Sequence, residues 1–429
     1  MSEFETKHAR GPIFVVGSPR SGTSILTWCL GQHPNILPQE ESDWMGEFAV
    51  DVGVCYRVGK MHGERSQLNA LGVDRETFFQ TFGDGIDAMV RRHRQQLEKN
   101  CRQVAERSPS QPDPNFNISR SSSEPKLRWV DGTPEYSFYI CGLRKLFPDA
   151  KFVHIVRDVR SVVNSMLNFK LTGHCGLVDT EQQAYEYWLT TVQACVQAER
   201  ALGSDVVHRL HYDDLVHRSE WALRGVLEFL NEPFTESCTE PVARKINSSE
   251  VPVDFRAHDP KTDSGVIERA LELSEQLQRP FDGYVPCPVA RAEFEEGFSE
   301  RIDFMIGLDN EYRSAQEKVA KLANGLNWCG LVLVAYVLLA GTAILGESLY
   351  GQRPLSIGGY LWLASALAGA GIYAFIRRAG LGNFAARVFS RYAHRRASSP
   401  AVPLRAKTVE HAPMASVLLR KDVGTKQPR

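Results

Sequence analysis

The sequence predicts an α/β fold, a parallel sheet flanked by helices, followed by a C-terminal hairpin of two helices long enough to cross a membrane. Three observations carry this expectation. Short apolar, β-branched runs begin at Ile13, Lys151 and Val206, and helix-periodic segments lie between and after them. A turn rich in Gly, Pro and Ser, residues 17–24, stands between the first run and the first helical segment. Near the C-terminus, residues 322–346 and 354–376 form uncharged stretches of 25 and 23 residues, and about 20 helical residues span a bilayer core.

In chain order, the opening MSEFETKHARGP is polar, and 13–17 is too short for the apolar core of a signal peptide. Residues 13–16 read as a strand and SILTWCLGQ as a helix. The Ser-, Pro- and Asn-rich stretch 108–126 reads as a surface loop. From Lys151, FVHIV reads as a strand, and in the following RDVRSVVNSML the residues Val159, Val162, Val163 and Met166 share one helical face. A long amphipathic helix over 181–202 precedes a third strand from Val206. No internal repeat is visible.

The formal net charge of -1 conceals an asymmetry. Residues 377–429 hold twelve Lys and Arg against Glu410 and Asp422, so the preceding chain carries a net charge of -11. Nine scattered cysteines without a CxxC pair disfavour a zinc site or a disulfide framework, and a reducing compartment is expected. The organisation expected is a globular domain over 1–312, a linker over 313–326, two transmembrane helices within 327–376 and a basic tail over 377–429. Buried core helices are the alternative to the spans, but core helices rarely lack charge for so long. Six arginines from Arg377 to Arg396 crowd the exit of the second span, which places the tail, and with it the globular domain, on the cytoplasmic side of a multi-pass membrane protein. Ser365 with Gly369, and Ala366 with Ala370, offer small residues four apart for a homo-oligomer through the hairpin. Anionic membrane lipid accounts for the basic tail, and no nucleic-acid partner is expected.

The sharpest chemical signal is Gly17-Ser-Pro-Arg-Ser-Gly-Thr-Ser24 between strand and helix. Backbone N–H groups there, with the helix N-terminus, make a P-loop-type anion cradle. A nucleoside triphosphatase needs GxxxxGK[ST], but here Thr23 follows Gly22 and the basic residue is Arg20. ATP or GTP hydrolysis is therefore disfavoured; Arg20 suits the transferring group of a smaller anhydride, and Thr23 and Ser24 suit a 5′-phosphate.

The strand, the PRSGT loop and the helix resemble the sulfotransferases that use 3′-phosphoadenosine 5′-phosphosulfate (PAPS). PRSGTSILTWCLGQHPNILPQEES is similar to the corresponding stretch of tyrosylprotein sulfotransferases and bacterial relatives, including His33-Pro34 and the pair Glu40-Glu41. The resemblance spans roughly 11–300. It implies that Arg20, Ser21, Gly22, Thr23 and Ser24 hold the 5′ side of the donor. FVHIVRDVRSVVNSML implies that Arg157 and Ser165 hold its 3′-phosphate, and LHYDDL places Tyr212 near the adenine. Asn247, Ser248 and Ser249 match a loop that closes over the donor. Glu40 is the implied base, with Glu41 as the alternative, because an acceptor hydroxyl is a poor nucleophile until its proton is taken. The lysine that many members carry before the second motif is replaced by Gly132 in Asp131-Gly-Thr-Pro134. Arg20 then carries the developing charge, or another basic residue such as Arg57 or Lys60 enters. No metal is implied. The acceptor, a glycan, lipid or tyrosyl hydroxyl, stays open, and tethering favours an amphiphilic one. Two rivals remain: a P-loop kinase-like nucleotide-binding protein, and a catalytically silent membrane scaffold of the same fold.

Overall fold

The computed structural model describes residues 11–39, 41–107, 128–171, 177–243, 259–279, 283–351, 359–360 and 364. In chain order the elements are β1 (Ile13–Val16), α1 (Thr23–Gly31), β2 (Ile36–Pro38), α2 (Met45–Gly59), α3 (Gln67–Ala70), α4 (Arg75–Arg107), β3 (Arg128–Asp131), α5 (Ile140–Leu146), β4 (Lys151–Val156), α6 (Val159–Leu171), α7 (Glu181–Leu202), β5 (Val207–His211), α8 (Tyr212–His217), α9 (Ser219–Phe229), α10 (Glu240–Ala243), α11 (Ser264–Gln278) and α12 (Pro288–Tyr350).

The strands form a parallel sheet in the order β2-β3-β1-β4-β5. β1 is central and wholly buried, as a parallel strand covered on both faces must be. Its residues alternate between faces. Ile13 and Val15 join a core with Leu26 and Leu30 of α1 and Leu223 and Val226 of α9. Phe14 joins a ring cluster, 5.4 Å from Phe152 and 5.6 Å from Trp129. β2 escapes sequence reading because three residues are too few to display a period, and β3 because RWVD has a charge at each end; Pro38 ends β2 at the sheet edge, where no ladder donor is required.

One polar cluster is sealed into this apolar frame. On β4, the wholly buried His154 lies with Nδ1 2.8 Å from Glu199 Oε1 of α7, and Arg209 Nε of β5 donates to the same oxygen at 3.0 Å. Burial opposes charge on His154, but Cys195 and Glu199 outweigh it and raise the imidazole to about 9. Burial likewise opposes charge on Glu199, and His154 and Arg209 more than offset it, lowering the carboxyl to about 2. Paired registers His154↔Arg209 and Val156↔His211 bring the C-terminal ends of β4 and β5 side by side.

The chain divides into two compact units, 1–307 and 308–429. Residues 313–326, expected as a linker, are helical inside α12, in keeping with their Ala, Glu, Lys and Gln content. Among the described residues one helix is long and apolar enough to cross a membrane, with a mean hydropathy of 1.8 over its apolar window. Only 6% of that window is buried, which argues against the core-helix alternative. Most of 354–376, and the loop 108–126, lie outside the described residues.

Candidate active site

The loop from β1 to α1 turns sharply, with the Ser21 amide donating to the Ser18 carbonyl at 3.0 Å. Arg20 adopts a left-handed φ of 71°, which is costly for a residue with a Cβ. Gly22 has φ 106°, and a Cβ there would lie 2.5 Å from Cδ2 of Tyr212, so both backbone and neighbour demand glycine. The first turn of α1 has no side-chain cap and no acidic residue, leaving its N–H groups for an anion. Ser21 is 1% exposed, and its hydroxyl is buried without a hydrogen-bond partner. An orphaned buried hydroxyl at an uncapped helix start is what a bound phosphate would satisfy.

The other motif residues converge on this loop. Arg157, at the end of β4, donates to the Arg20 carbonyl at 3.1 Å and stacks 4.2 Å from the Tyr212 ring centre. Arg20 Nε donates to Ser165 of α6 at 3.1 Å, and its guanidinium lies 4.7 Å from the Phe169 ring centre. Burial and then the like charge of Arg157 lower the Arg20 pKa, against Glu41 and Tyr212. The Arg20 side chain therefore reaches the residue expected to bind the 3′-phosphate, a contact that spacing alone does not reveal. Arg160 is exposed on the surface of α6.

Facing the start of α1 is a region of carboxylates and hydroxyls. Ser24 Oγ donates to Glu41 Oε1 at 3.4 Å, while Thr23 is buried and its carbonyl accepts from Thr27 Oγ1. Loss of surrounding water, then the charges of Glu135, Asp43 and Asp131, push the Glu41 carboxyl up to about 7, with Ser24 opposing. The Glu41 side chain is nonetheless exposed, so the rise that burial causes is an upper bound and its direction rests also on the neighbouring carboxylates. Ser42 N donates to Thr133 Oγ1 at 2.9 Å, and Thr133 Oγ1 donates to Asp131 Oδ1 at 2.7 Å, tying the segment after Glu41 to the end of β3. Tyr136 holds it again through Ser42 and the Met45 amide. These supporting groups escape sequence reading; Asp131-Gly-Thr-Pro134 is visible there only for its missing lysine. Ser137, which accepts from the Gly17 amide at 2.9 Å, gives no signal.

A Cβ at Gly132 would land on the Thr27 hydroxyl, so a lysine at this position would require the Thr27 side chain to shift. Neither expected substitute reaches the loop. Arg57 pairs with Asp303, and Lys60 lies over Tyr56, about 22 Å of helix away from Met45. His33 serves the fold, with Nε2 2.9 Å from the Pro233 carbonyl and Nδ1 accepting from Asn35 N. Glu40, Asn247, Ser248 and Ser249 lie outside the described residues.

The sulfotransferase family profile matches residues 12–236, just over half of the 429-residue chain, and includes Arg20 to Ser24, Glu40, Glu41, Arg157, Ser165 and Tyr212 but not Asn247 to Ser249. The chain belongs to the sulfotransferase family. Among curated relatives, a protein-tyrosine sulfotransferase of Drosophila melanogaster is 23% identical over 237 residues, covering 52% of this chain and 39% of that protein. Protein-tyrosine sulfotransferase A of Caenorhabditis elegans is 24% identical over 224 residues, covering 52% and 50%. The chain thus spans about half or less of the length of these relatives. Among solved structures, the sulfotransferase domain from the curacin biosynthetic pathway is 20% identical, covers 67% of this chain and 97% of its own, and has a TM-score of 0.33. A mouse sulfotransferase complexed with PAP is 15% identical, covers 72% and 90%, and has a TM-score of 0.28.

Proposed function

We propose that this sulfotransferase moves a sulfonate group from PAPS to a hydroxyl acceptor, with Arg20, Ser21, Gly22, Thr23, Ser24, Arg157, Ser165 and Tyr212 holding the donor. One observation carries the reading: two guanidinium groups, a stacked tyrosine and a buried, unpartnered Ser21 hydroxyl converge on one uncapped helix start. A donor with anionic groups at both ends of one nucleotide answers all of them. The residues present fit it, since Ser21 Oγ gains a partner and Gly22, lacking a Cβ, lets the Tyr212 ring close on the loop.

In the reaction, an acceptor oxygen forms a bond to sulfur as the bond from sulfur to the 5′-phosphate oxygen breaks. Adenosine 3′,5′-bisphosphate leaves, and the acceptor proton passes to a carboxylate. Arg20 and the N–H groups of α1 stabilise charge gathering on the leaving oxygens. The resemblance implies Glu40 as base. Glu41 is a second reading that a specific observation favours, because its carboxyl bonds Ser24 beside the loop and titrates near 7, where a base is both free and basic enough. The names of the curated relatives support a hydroxyl as the acceptor group. Tethering by α12 and a second span, with the catalytic unit on the cytoplasmic side, belongs to the same proposal; the described helix of spanning length supports the tethering, and the uncharged stretch 354–376 and the arginines after it support the second span and the orientation.

Calorimetric titration of the full chain with adenosine 3′,5′-bisphosphate, beside ATP with magnesium, tests the donor assignment. Wild type binds the bisphosphate, and Arg157→Ala weakens it by about ten- to a hundredfold, the size of one or two charge-assisted hydrogen bonds. Absence of bisphosphate binding together with clear ATP binding would sink the assignment and select the kinase-like rival.

A further inference from the structure

The face beyond Glu41 carries an unusual surface. Trp44 begins a row of rings that passes Phe48, Phe82 and Phe78 to Tyr56, with successive centres 5.8, 5.9, 5.2 and 5.4 Å apart. Its spacing is helical: 44, 48 and 56 share one face of α2 and its start, and 78 and 82 share one face of α4. This is not the core face. Phe79, one position along, is fully buried and packs against Phe298, and Gly53 closes on Ile302. Trp44 is 41% exposed and Phe82 39%, and the apolar Met89 also lies in solvent on α4. Phe48, Phe78 and Tyr56 between them are half-buried, and a part-exposed apolar row of this kind on a folded domain marks a binding surface.

Resting on the sulfotransferase reading above, we propose that the acceptor is an amphiphile whose hydroxyl head meets Glu41 and whose apolar tail lies along the rings from Trp44 to Tyr56. Continuity with the candidate site fixes the occupant. The row starts three residues after Glu41, at a segment pinned to the catalytic loop's surroundings by Ser42, Thr133 and Tyr136, and it runs about 18 Å along α2. That length suits a chain-like tail better than a single ring. Independently, the same chain carries a helix of membrane-spanning composition, which keeps the enzyme where amphiphiles concentrate.

The test uses the full chain in phosphatidylcholine nanodiscs, radiolabelled PAPS, and straight-chain alcohols from butanol to dodecanol beside an acidic tyrosyl peptide. Correcting for partition into lipid, kcat/KM rises about fourfold per added methylene until the row is covered, the value of burying one methylene from water. Trp44→Ser and Phe82→Ser flatten that slope while leaving bisphosphate affinity unchanged; both residues are exposed, and circular dichroism checks that the variants fold. A flat dependence on chain length, a slope untouched by the substitutions, transfer to the peptide alone, or no transfer to any alcohol by protein that binds the bisphosphate would each overturn the amphiphile inference. Failure of the wild type to bind the bisphosphate would instead overturn the donor reading on which it rests.

Discussion

Apart from Ser165 in the middle of α6, every group assigned to the donor hangs from a buried strand end or an adjoining helix start, whereas the groups turned toward the acceptor sit on the solvent faces of α2, α4 and the segment joining β2 to α2. Arg157 follows β4, Tyr212 follows β5 and Arg20 follows β1, all neighbours in one parallel sheet. Ligands of such sheets gather at the carboxyl ends of the strands, so the donor half inherits its geometry from the fold. The acceptor half borrows its positions from hydrogen bonds such as Ser42 to Thr133 and from ring contacts. This difference teaches that the donor end should resist change in sequence around it, while the acceptor end is free to vary.

The largest expected effect lies where the halves meet. Replacing the proton-accepting carboxylate should lower kcat by about 10²–10⁴-fold, the usual worth of a positioned base, without altering bisphosphate affinity. Glu40→Gln and Glu41→Gln measured side by side identify which carboxylate it is. If Glu41 is the base, wild-type activity rises with pH through about 7, as the carboxyl loses its proton, and Glu41→Gln removes that rise. A Glu41→Gln enzyme with an unchanged pH profile returns the role to Glu40.

The next effect tests whether the donor half owes its geometry to the buried frame. Arg209→Met removes one partner of Glu199 and should destabilise the protein by about 3–5 kcal/mol, as breaking a buried ion pair does. The wild-type cluster also sets a pH window. His154 titrates higher folded than unfolded, so its contribution is complete below the ordinary histidine range and fades as pH rises through about 9. Glu199 titrates lower folded than unfolded, so its contribution is complete above the ordinary glutamate range and fades as pH falls through about 2. Thermal midpoints measured from pH 2 to 10 should therefore peak between about 4.5 and 6.5, between the unfolded values of the two side chains. A flat profile would show that the cluster contributes no net stability.

Legibility in the sequence follows the same division. β1, β4 and β5 are visible because each is a short apolar run beside a motif, and the motif residues Arg20, Arg157, Ser165 and Tyr212 do meet in space. β2 is invisible because three residues hold less than two periods, and β3 because RWVD, unlike the all-apolar β1 of equal length, carries a charge at each end. Ser137 and Tyr136 act through hydrogen bonds to residues roughly 90 to 120 positions away, and no local pattern encodes such partners. The ring row is hidden for another reason: Phe78 and Phe79 look alike in sequence, and only the packing of Phe79 on Phe298 makes it core while Phe78 stays half-buried. Gly132 reads as a loss in sequence, yet in the fold it is the residue that lets α1 lie against the end of β3.

The smallest expected effect sharpens the comparison most directly, because it asks whether a distant basic residue serves the site. If Arg57 replaced the lysine absent at Gly132, then Arg57→Ala would lower kcat by the tens- to hundredsfold typical of losing a charge on the transferring group. The fold argues otherwise: Arg57 lies near the far end of α2 from Met45 and pairs with Asp303, with both side chains largely open to water. Exposed pairs of this kind are worth about 0–1 kcal/mol. Arg57→Ala should therefore leave kcat and bisphosphate affinity within about twofold of wild type and lower stability only slightly. That outcome assigns the developing charge to Arg20 and the N–H groups of α1, inside the donor half; a large loss of kcat at constant stability would mean that the acceptor helices reach into the chemistry.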